Sequence, residues 1–539
     1  MLPESHLQVE PHSEPRVRRR DILRSLASRS TTRVMSELSK LYYPPDHDQE
    51  SNITPRSQEL HRTDTDDINN VINSPQDTIT PHCMLYPTYA TQIETEEGTR
   101  WKMDIGGWVY AMPSPGRMER LLLAVGRTYG GLMVNSAEDN HFVSLLNQFR
   151  CQTIRNIDVN IRLGKAIESM GKLVHEHEQR KAEEGEAEEA GTSMMLSSGP
   201  SGRFQDTWML NPVDCENSIE KKLLQLEAIF DGVSKSYNSY KKICPKRTLD
   251  TNLAFYSDIP NRGLVDLIDS EGISVISDID DTIKITGVLD GRDAILRNTF
   301  FKKAQEVPGM SKVYQTWADQ GIHIHYVSNS PWQVYPALRE FFEQVKFPQG
   351  SMHLRVINTQ DIIRGKPMQH KLDVIPRIIQ DFPKRKFILI GDSGEHDPEI
   401  YQEIYRQFPD QIIKVFIRDV SSELAIHADN NKDTSSSERM YNIIRKFISQ
   451  EHSTLKRTNT SQTAMDAITN TEVPKSQQVA MDPSVPQATR LELFKERMEQ
   501  AASDMKEGAF TVFKSSTQLI TDPVVTEEFL VASSTSLSI

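Results

Sequence analysis

The alternation of short apolar runs with segments of helical period constrains this chain more than any other feature. Between about Thr251 and Ser449 the runs are "GISVIS", "IHIHYVS", "MHLRVI", "KFILIG" and "QIIKVFIR". Each is strand length and rich in β-branched residues. Between them, "MSKVYQTWADQ", "VYPALREFFEQV", "HKLDVIPRIIQDF" and "PEIYQEIYRQF" place apolar residues three and four apart. Apolar strands alternating with helices predict an α/β fold, a Rossmann-like parallel sheet covered on both faces. Its ligand site belongs at the carboxyl ends of the strands.

The rest of the 539 residues reads as less ordered. Hydrophobic residues make up only 37% of the chain, so much of its length buries little. Residues 1–78 form a polar arm, expected to be disordered, with one basic amphipathic patch. There Ile22, Leu23, Leu26, Val34, Leu38 and Leu41 share helical faces beside Arg16, Arg18, Arg19, Arg20 and Arg24. Such a patch suits either an anionic lipid surface or a solvated arm. Residues 79–250 form a smaller N-terminal accessory region with an acidic linker near 176–203. "TRWKMDIGGWVYAMP" predicts strand broken at Gly106 and Gly107, and "RMERLLLAVGRTYGGL" predicts helix. The spacing of Ile219, Leu223, Leu226 and Ile229 predicts a further helix. After the α/β domain, 251–450, come a linker over 451–489, a docking helix over 490–520 and a tail over 521–539.

A net charge of −13 disfavours broad nucleic-acid binding, so any anion is met locally. Cys83, Cys151, Cys215 and Cys244 include no C-x-x-C pair and read as reduced thiols of an intracellular protein. No apolar stretch approaches the roughly 18 residues of a spanning helix. A soluble or membrane-surface protein is expected.

The strand ends carry the chemistry. After the first run stands Asp278-Ile279-Asp280-Asp281-Thr282, after the second Ser328-Asn329-Ser330, and after the fourth "GDSGEHD", with Asp392 and Asp397. Lys371 opens the helix before that fourth run. Phosphoryl transfer requires these residue types together. A carboxylate at Asp278 is ionised at neutral pH and can attack phosphorus without a separate base. Repulsion between that anion and a phosphate, about 4 kcal/mol per charge pair at about 4 Å, calls for cations. Asp278 and Asp392, with the Asp280 carbonyl, can hold Mg2+, with Asp397 orienting it; the metal set is therefore Asp278, Asp280, Asp392 and Asp397. Lys371 adds positive charge and catalytic assistance, while Ser328, Asn329 and Thr282 complete the phosphate-binding set. Asp280 is placed to protonate the leaving oxygen and then activate water.

The order D-x-D-x-T, Ser, Lys, G-D-x-x-x-x-D resembles the four motifs of the haloacid-dehalogenase superfamily. More narrowly, "VISDIDDTIKITGV", "HYVSNSPW", His370-Lys371 and "FILIGDSGEHDPEIY" resemble the fungal actin-patch-associated phosphatidate phosphatases. The resemblance runs over roughly Val275–Arg418. It implies Mg2+-dependent hydrolysis of phosphatidate to diacylglycerol at a membrane surface. It also implies a cytoplasmic, peripheral protein near cortical actin patches and endocytic partners. SH3 recruitment has little support, since Arg490 lies one position beyond the common spacing from the P-x-x-P at Pro483–Pro486. Two alternatives stay open: an inactive phosphatase fold serving as a lipid-binding or scaffold protein, and a phosphatase of soluble phosphomonoesters or phosphoproteins. The short segment Leu289–Val307, where superfamily members insert caps, suggests an open rim.

Overall fold

The computed structural model describes residues 81–111, 117–163, 192–199, 201–212, 223–229, 262–356, 367–430 and 488–536. The basic patch of the arm, most of the acidic linker and the Pro483–Pro486 motif lie outside them. Two sheets organise the chain. The first contains β1 (Pro81–Leu85), β2 (Thr88–Thr95), β3 (Gly98–Ala111), β4 (Gln152–Thr153), β5 (Asp158–Leu163), β6 (Ser193–Ser197), β7 (Arg203–Leu210), β8 (Leu223–Ile229) and β9 (Arg262–Ile268). Its path is β1-β3-β2-β9-β8-β5-β6, with β4 and β7 on β3, and all its pairs are antiparallel except β2–β9. Cys83 of β1 and Leu196 of β6 share one core cluster although they sit at opposite ends of that path. The sheet therefore curls onto itself.

Two expectations for this region change. Strand β3 runs unbroken through Gly106 and Gly107. At Gly107 the missing Cβ makes room for the Phe204 ring, which would stand 2.9 Å away at Cε1. Residues 223–229 form β8, not a helix. Leu224, Leu226 and Ala228 alternate into the core, and a short apolar run fits either period until its neighbours are known.

The second sheet is parallel throughout: β10 (Ile273–Ser277), β11 (His323–Pro331), β12 (Ser351–Arg355), β13 (Lys386–Asp392), β14 (Ile412–Arg418) and β15 (Phe510–Phe513). The order is β12-β11-β10-β13-β14-β15. Val275, Ile324, Ile388 and Phe416 enter the core on one face; Ile276, Val327, Leu389 and Val415 enter it on the other. Every second side chain reversing face, with apolar groups on both, is the signature of a sheet buried on two sides. From β10 the chain winds outward to β11 and β12, then returns to the far side at β13. The crevice between β10 and β13 is the switch point where such sheets bind ligands.

The C-terminal segment differs from the docking helix and tail expected from sequence. The helix Arg490–Ala502 begins at a capping box, Thr489 with Glu492, and stops well short of 520. Residues 510–513 form the sixth strand, and Pro523–Ser536 is a helix, so 521–539 is not simply a tail. The rim beside Leu289–Val307 is also less bare than expected. Helices Arg117–Gly130 and Ala137–Arg150 bring Leu123, Phe142 and Leu146 against Phe300 and Phe301. The two sheets are joined by Met352 N to Pro87 O at 3.0 Å and Tyr89 to Asp381 at 2.7 Å. Among the described residues no helix is long and apolar enough to cross a membrane.

Candidate active site

Strand β10 delivers Asp278 to the crevice, its N–H bonded to Ile390 O of β13 at 2.9 Å. The chain then turns sharply. Asp281 takes a left-handed conformation (φ 54°), which aspartate tolerates better than most residues. Its carboxylate accepts the backbone N–H groups of Thr286, Gly287 and Val288 at 2.6–2.8 Å, pinning the loop. Strand β13 ends on Asp392, and the next helix, Asp397–Gln407, begins with Asp397. Asp278, Asp392 and Asp397 offer oxygens within 4.8 Å of one another, all buried.

Lys371, from helix Pro367–Asp381, enters this cluster fully buried. Its Nζ lies 2.9 Å from Asp278 Oδ1, contacts Asp397 Oδ1 and is 4.0 Å from Glu395 Oε2. One lysine against so many acids leaves the site negative. Burial pushes the Asp278 carboxyl well above the ordinary range; Lys371 opposes this, and Asp397, Glu395 and Asp392 add to it. Asp392 is raised by burial and then by Asp397. Glu395 is pushed to about 7 by burial, against the charge of Lys371. Sequence chemistry treats Asp278 as ionised unaided; in the folded chain its ionisation leans on Lys371 and on any cation present.

The donor set fits a divalent metal ion. Asp392 Oδ2 is buried with no hydrogen-bond partner among the described residues, a costly state for an oxygen unless a cation takes it. Asp278, Asp392 and Asp397 supply the hard oxygen ligands that Mg2+-like ions prefer.

Asp280 is not in that cluster. Its Oδ1 accepts Thr286 Oγ1 at 2.6 Å and Lys284 Nζ at 3.4 Å. Its Oδ2 accepts Ser330 Oγ at 2.7 Å and Ser328 Oγ at 3.2 Å. Burial would raise this carboxyl, but the Lys284 charge and the bonds from Thr286 and Ser330 prevail and hold it low. Its side chain is thus committed to hydroxyl and ammonium donors, and Ser328 is committed to it. Thr282 Oγ1 sits 3.4 Å from Asp278 Oδ2, and Asn329 Nδ2 donates to Glu395 at 3.2 Å.

Three residues here escaped the sequence reading. Glu395 lies inside "GDSGEHD", between the two acids that were chosen, so its position was the available signal. Lys284 is four residues past Asp280, a pairing that local spacing offers. Arg497 carried no signal. From the helix Arg490–Ala502 it is buried and donates to Ser393 O and Glu395 O, both at 2.6 Å, while pairing with Glu399. It braces the loop that follows Asp392.

Residues 273–419 match the family described as phosphatidate phosphatase APP1, catalytic domain. Over 228 residues the chain is 36% identical to phosphatidate phosphatase APP1 of Saccharomyces cerevisiae, covering 40% of this chain and 39% of that protein. It is 37% identical over 175 residues to an uncharacterized protein of Schizosaccharomyces pombe, covering 32% of this chain and 28% of that one. The chain thus spans less than half the length of these curated relatives. A tungstate-bound class C acid phosphatase from Bacillus anthracis aligns at 14% identity and a TM-score of 0.19, covering 36% of this chain and 81% of that one. At that score the likeness decides nothing about the fold.

Proposed function

We propose that this protein, whose residues 273–419 match the phosphatidate phosphatase APP1 catalytic-domain family, is a Mg2+-dependent phosphatidate phosphatase. In this reading the parallel sheet is of haloacid-dehalogenase type, and the curled sheet before it is an accessory domain. One observation carries the proposal: Asp278, Lys371, Asp392 and Asp397 are buried together at the β10–β13 crevice, with Asp392 Oδ2 left for a cation.

Asp278, Asp392 and Asp397 would hold the ion. When bound, a divalent ion offsets the repulsion between carboxylate and phosphate and draws charge from the phosphoryl oxygens. Lys371 fixes Asp278 Oδ1, which leaves Oδ2 to attack phosphorus. The new O–P bond forms as the bond to the glycerol oxygen breaks, and diacylglycerol leaves with a proton from Asp280. Water then attacks the aspartyl-phosphate at phosphorus and returns a proton to Asp280. Phosphate is released and both carboxyl groups are restored. The bonds that hold Asp280 low favour the second step, in which it acts as base; for the first it must take up a proton as the phosphate dianion binds.

The test is the purified full chain assayed with Mg2+ against phosphatidate and a soluble aryl phosphate. Phosphatidate hydrolysis should disappear with EDTA, return with Mg2+, and be absent in Asp278→Asn. Normal turnover by Asp278→Asn ends the mechanism. Activity on the aryl phosphate alone keeps the chemistry and rejects the lipid, and inactivity on both leaves a binding or scaffold protein. A phosphatidate substrate puts the chain at a membrane surface. Its proposed cytoplasmic location at cortical actin patches, among endocytic proteins, rests on the family resemblance, and imaging a tagged chain against actin tests it.

A further inference from the structure

A cavity of about 800 Å³ lies between the two sheets, beside the crevice but not on it: Asp278, Asp280, Asp392 and Asp397 do not line it. That volume is in the range of small-ligand sites. One wall is aromatic. Tyr86, from the turn between β1 and β2, stacks on Trp332 with ring centroids 3.6 Å apart and planes within 9°. Other walls carry Arg203 of β7, Arg355 of β12 and Arg377 of the helix Pro367–Asp381.

The acids of the lining do not pair with Arg203 or Arg377. The two acids of the lining, Asp104 and Asp373, accept from the neutral donors Thr207 Oγ1 at 2.8 Å and Gln369 Nε2 at 2.7 Å. Among the described residues neither pairs with an arginine, and Arg203 and Arg377 form no ion pair. The Arg203 guanidinium lies against the Tyr86 hydroxyl, but its Nε is buried without a hydrogen-bond partner among the described residues, a costly state for a donor. Burial, with the Arg377 charge added, holds His353 at about 3, so at neutral pH it lines the cavity uncharged. The Arg203 and Arg377 guanidinium groups, at the edge of an amphipathic pocket, present forked donors matched to phosphate oxygens.

We propose that this cleft is a second anion site, which binds a phosphomonoester group through Arg203 and Arg377 next to the aromatic wall. It does not depend on any reaction at Asp278. The group can arrive as a phospholipid headgroup or as free phosphate.

The experiment uses the full chain in EDTA, so that the uncompensated carboxylate cluster repels anions and the cleft dominates binding. Flotation with phosphatidylcholine vesicles, with and without phosphatidate, is measured beside inorganic phosphate binding by calorimetry. Wild type should prefer phosphatidate vesicles or bind phosphate. Arg203→Ala with Arg377→Ala should weaken that binding by about tenfold or more, the loss expected for charged hydrogen bonds. Arg377 is exposed on its helix, so Arg377→Glu alone should fold normally and show the same loss, with Arg377→Lys partly restoring it. Hydrolysis of the soluble aryl phosphate, measured separately with Mg2+, should stay within about twofold in the arginine variants. Vesicle binding lost in the variants identifies the lipid headgroup, whereas loss of phosphate binding alone identifies the free ion. Wild-type binding in the double alanine variant and in Arg377→Glu, or no binding by wild type to either probe, overturns the proposal. A chain that binds but hydrolyses nothing rejects the phosphatase and leaves this site standing.

Discussion

Replacing Lys371 with methionine should be the most damaging single change near the crevice that leaves side-chain volume almost intact. Lys371 is fully buried and is the cation in contact with Asp278 and Asp397. Removing one partner of a buried ionic group costs about 3–5 kcal/mol, because the charges left behind have no compensation. The chain can escape part of that cost by taking up protons. In the variant the carboxyl groups rise further above their unfolded values, so the native state binds more protons than the unfolded one. Stability relative to wild type therefore falls as pH rises and recovers toward acid pH. A divalent ion bound only by the native state restores part of it by mass action. Urea unfolding of the full chain in EDTA, near neutral and at mildly acid pH, then with Mg2+, measures all three effects. A loss under about 1 kcal/mol at neutral pH, the scale of an exposed pair, would refute the view of Lys371 as the cluster's counter-ion.

Three further outcomes follow from the same geometry. In Gly391→Ala the new Cβ would stand 2.6 Å from Asp397 Cβ, so Asp397 must move off Lys371. Hydrolysis should fall sharply, with about 1–3 kcal/mol lost from stability, and unchanged turnover would refute the contact. Arg497→Met should weaken the Mg2+ dependence of hydrolysis by freeing the Ser393–Glu395 loop, and an unaltered Mg2+ titration would refute that role. Burial holds His353 at about 3 and His370 at about 4, and lowers His325 well below its ordinary value. Such groups stay neutral when folded and protonate when unfolded. Their stabilising contribution is intact above about pH 6.5 and is lost as pH falls toward those values. A urea midpoint flat from neutral pH to about 4 would contradict this.

The parallel sheet was legible because its five long strands are apolar on both faces, a pattern that few other placements permit. The fate of Asp278, Lys371, Asp392 and Asp397 was legible too, since topology sends successive strand ends to one edge. What failed was whatever depends on side-chain direction or on a distant partner. The metal reading used the Asp280 carbonyl; its carboxylate is held by Thr286 and Ser330, partners that spacing did not announce. Strand β8 carried a helical spacing that its flanking strands overrode. Strand β15 has four residues, and nothing in so short a run announces a partner almost a hundred positions earlier.

The late arrival of β15 bears on any attempt to trim this chain. The match to the family model ends at residue 419, but the neighbour that zips onto β14 comes from 510–513, and Lys414 is locked beneath it to Asp522 at 2.6 Å. A fragment cut at the similarity boundary would leave an open backbone ribbon along β14, inviting self-adhesion. It would also lose the guanidinium that steadies the loop after Asp392. Dissecting the protein by its motifs alone would discard part of what keeps them in place.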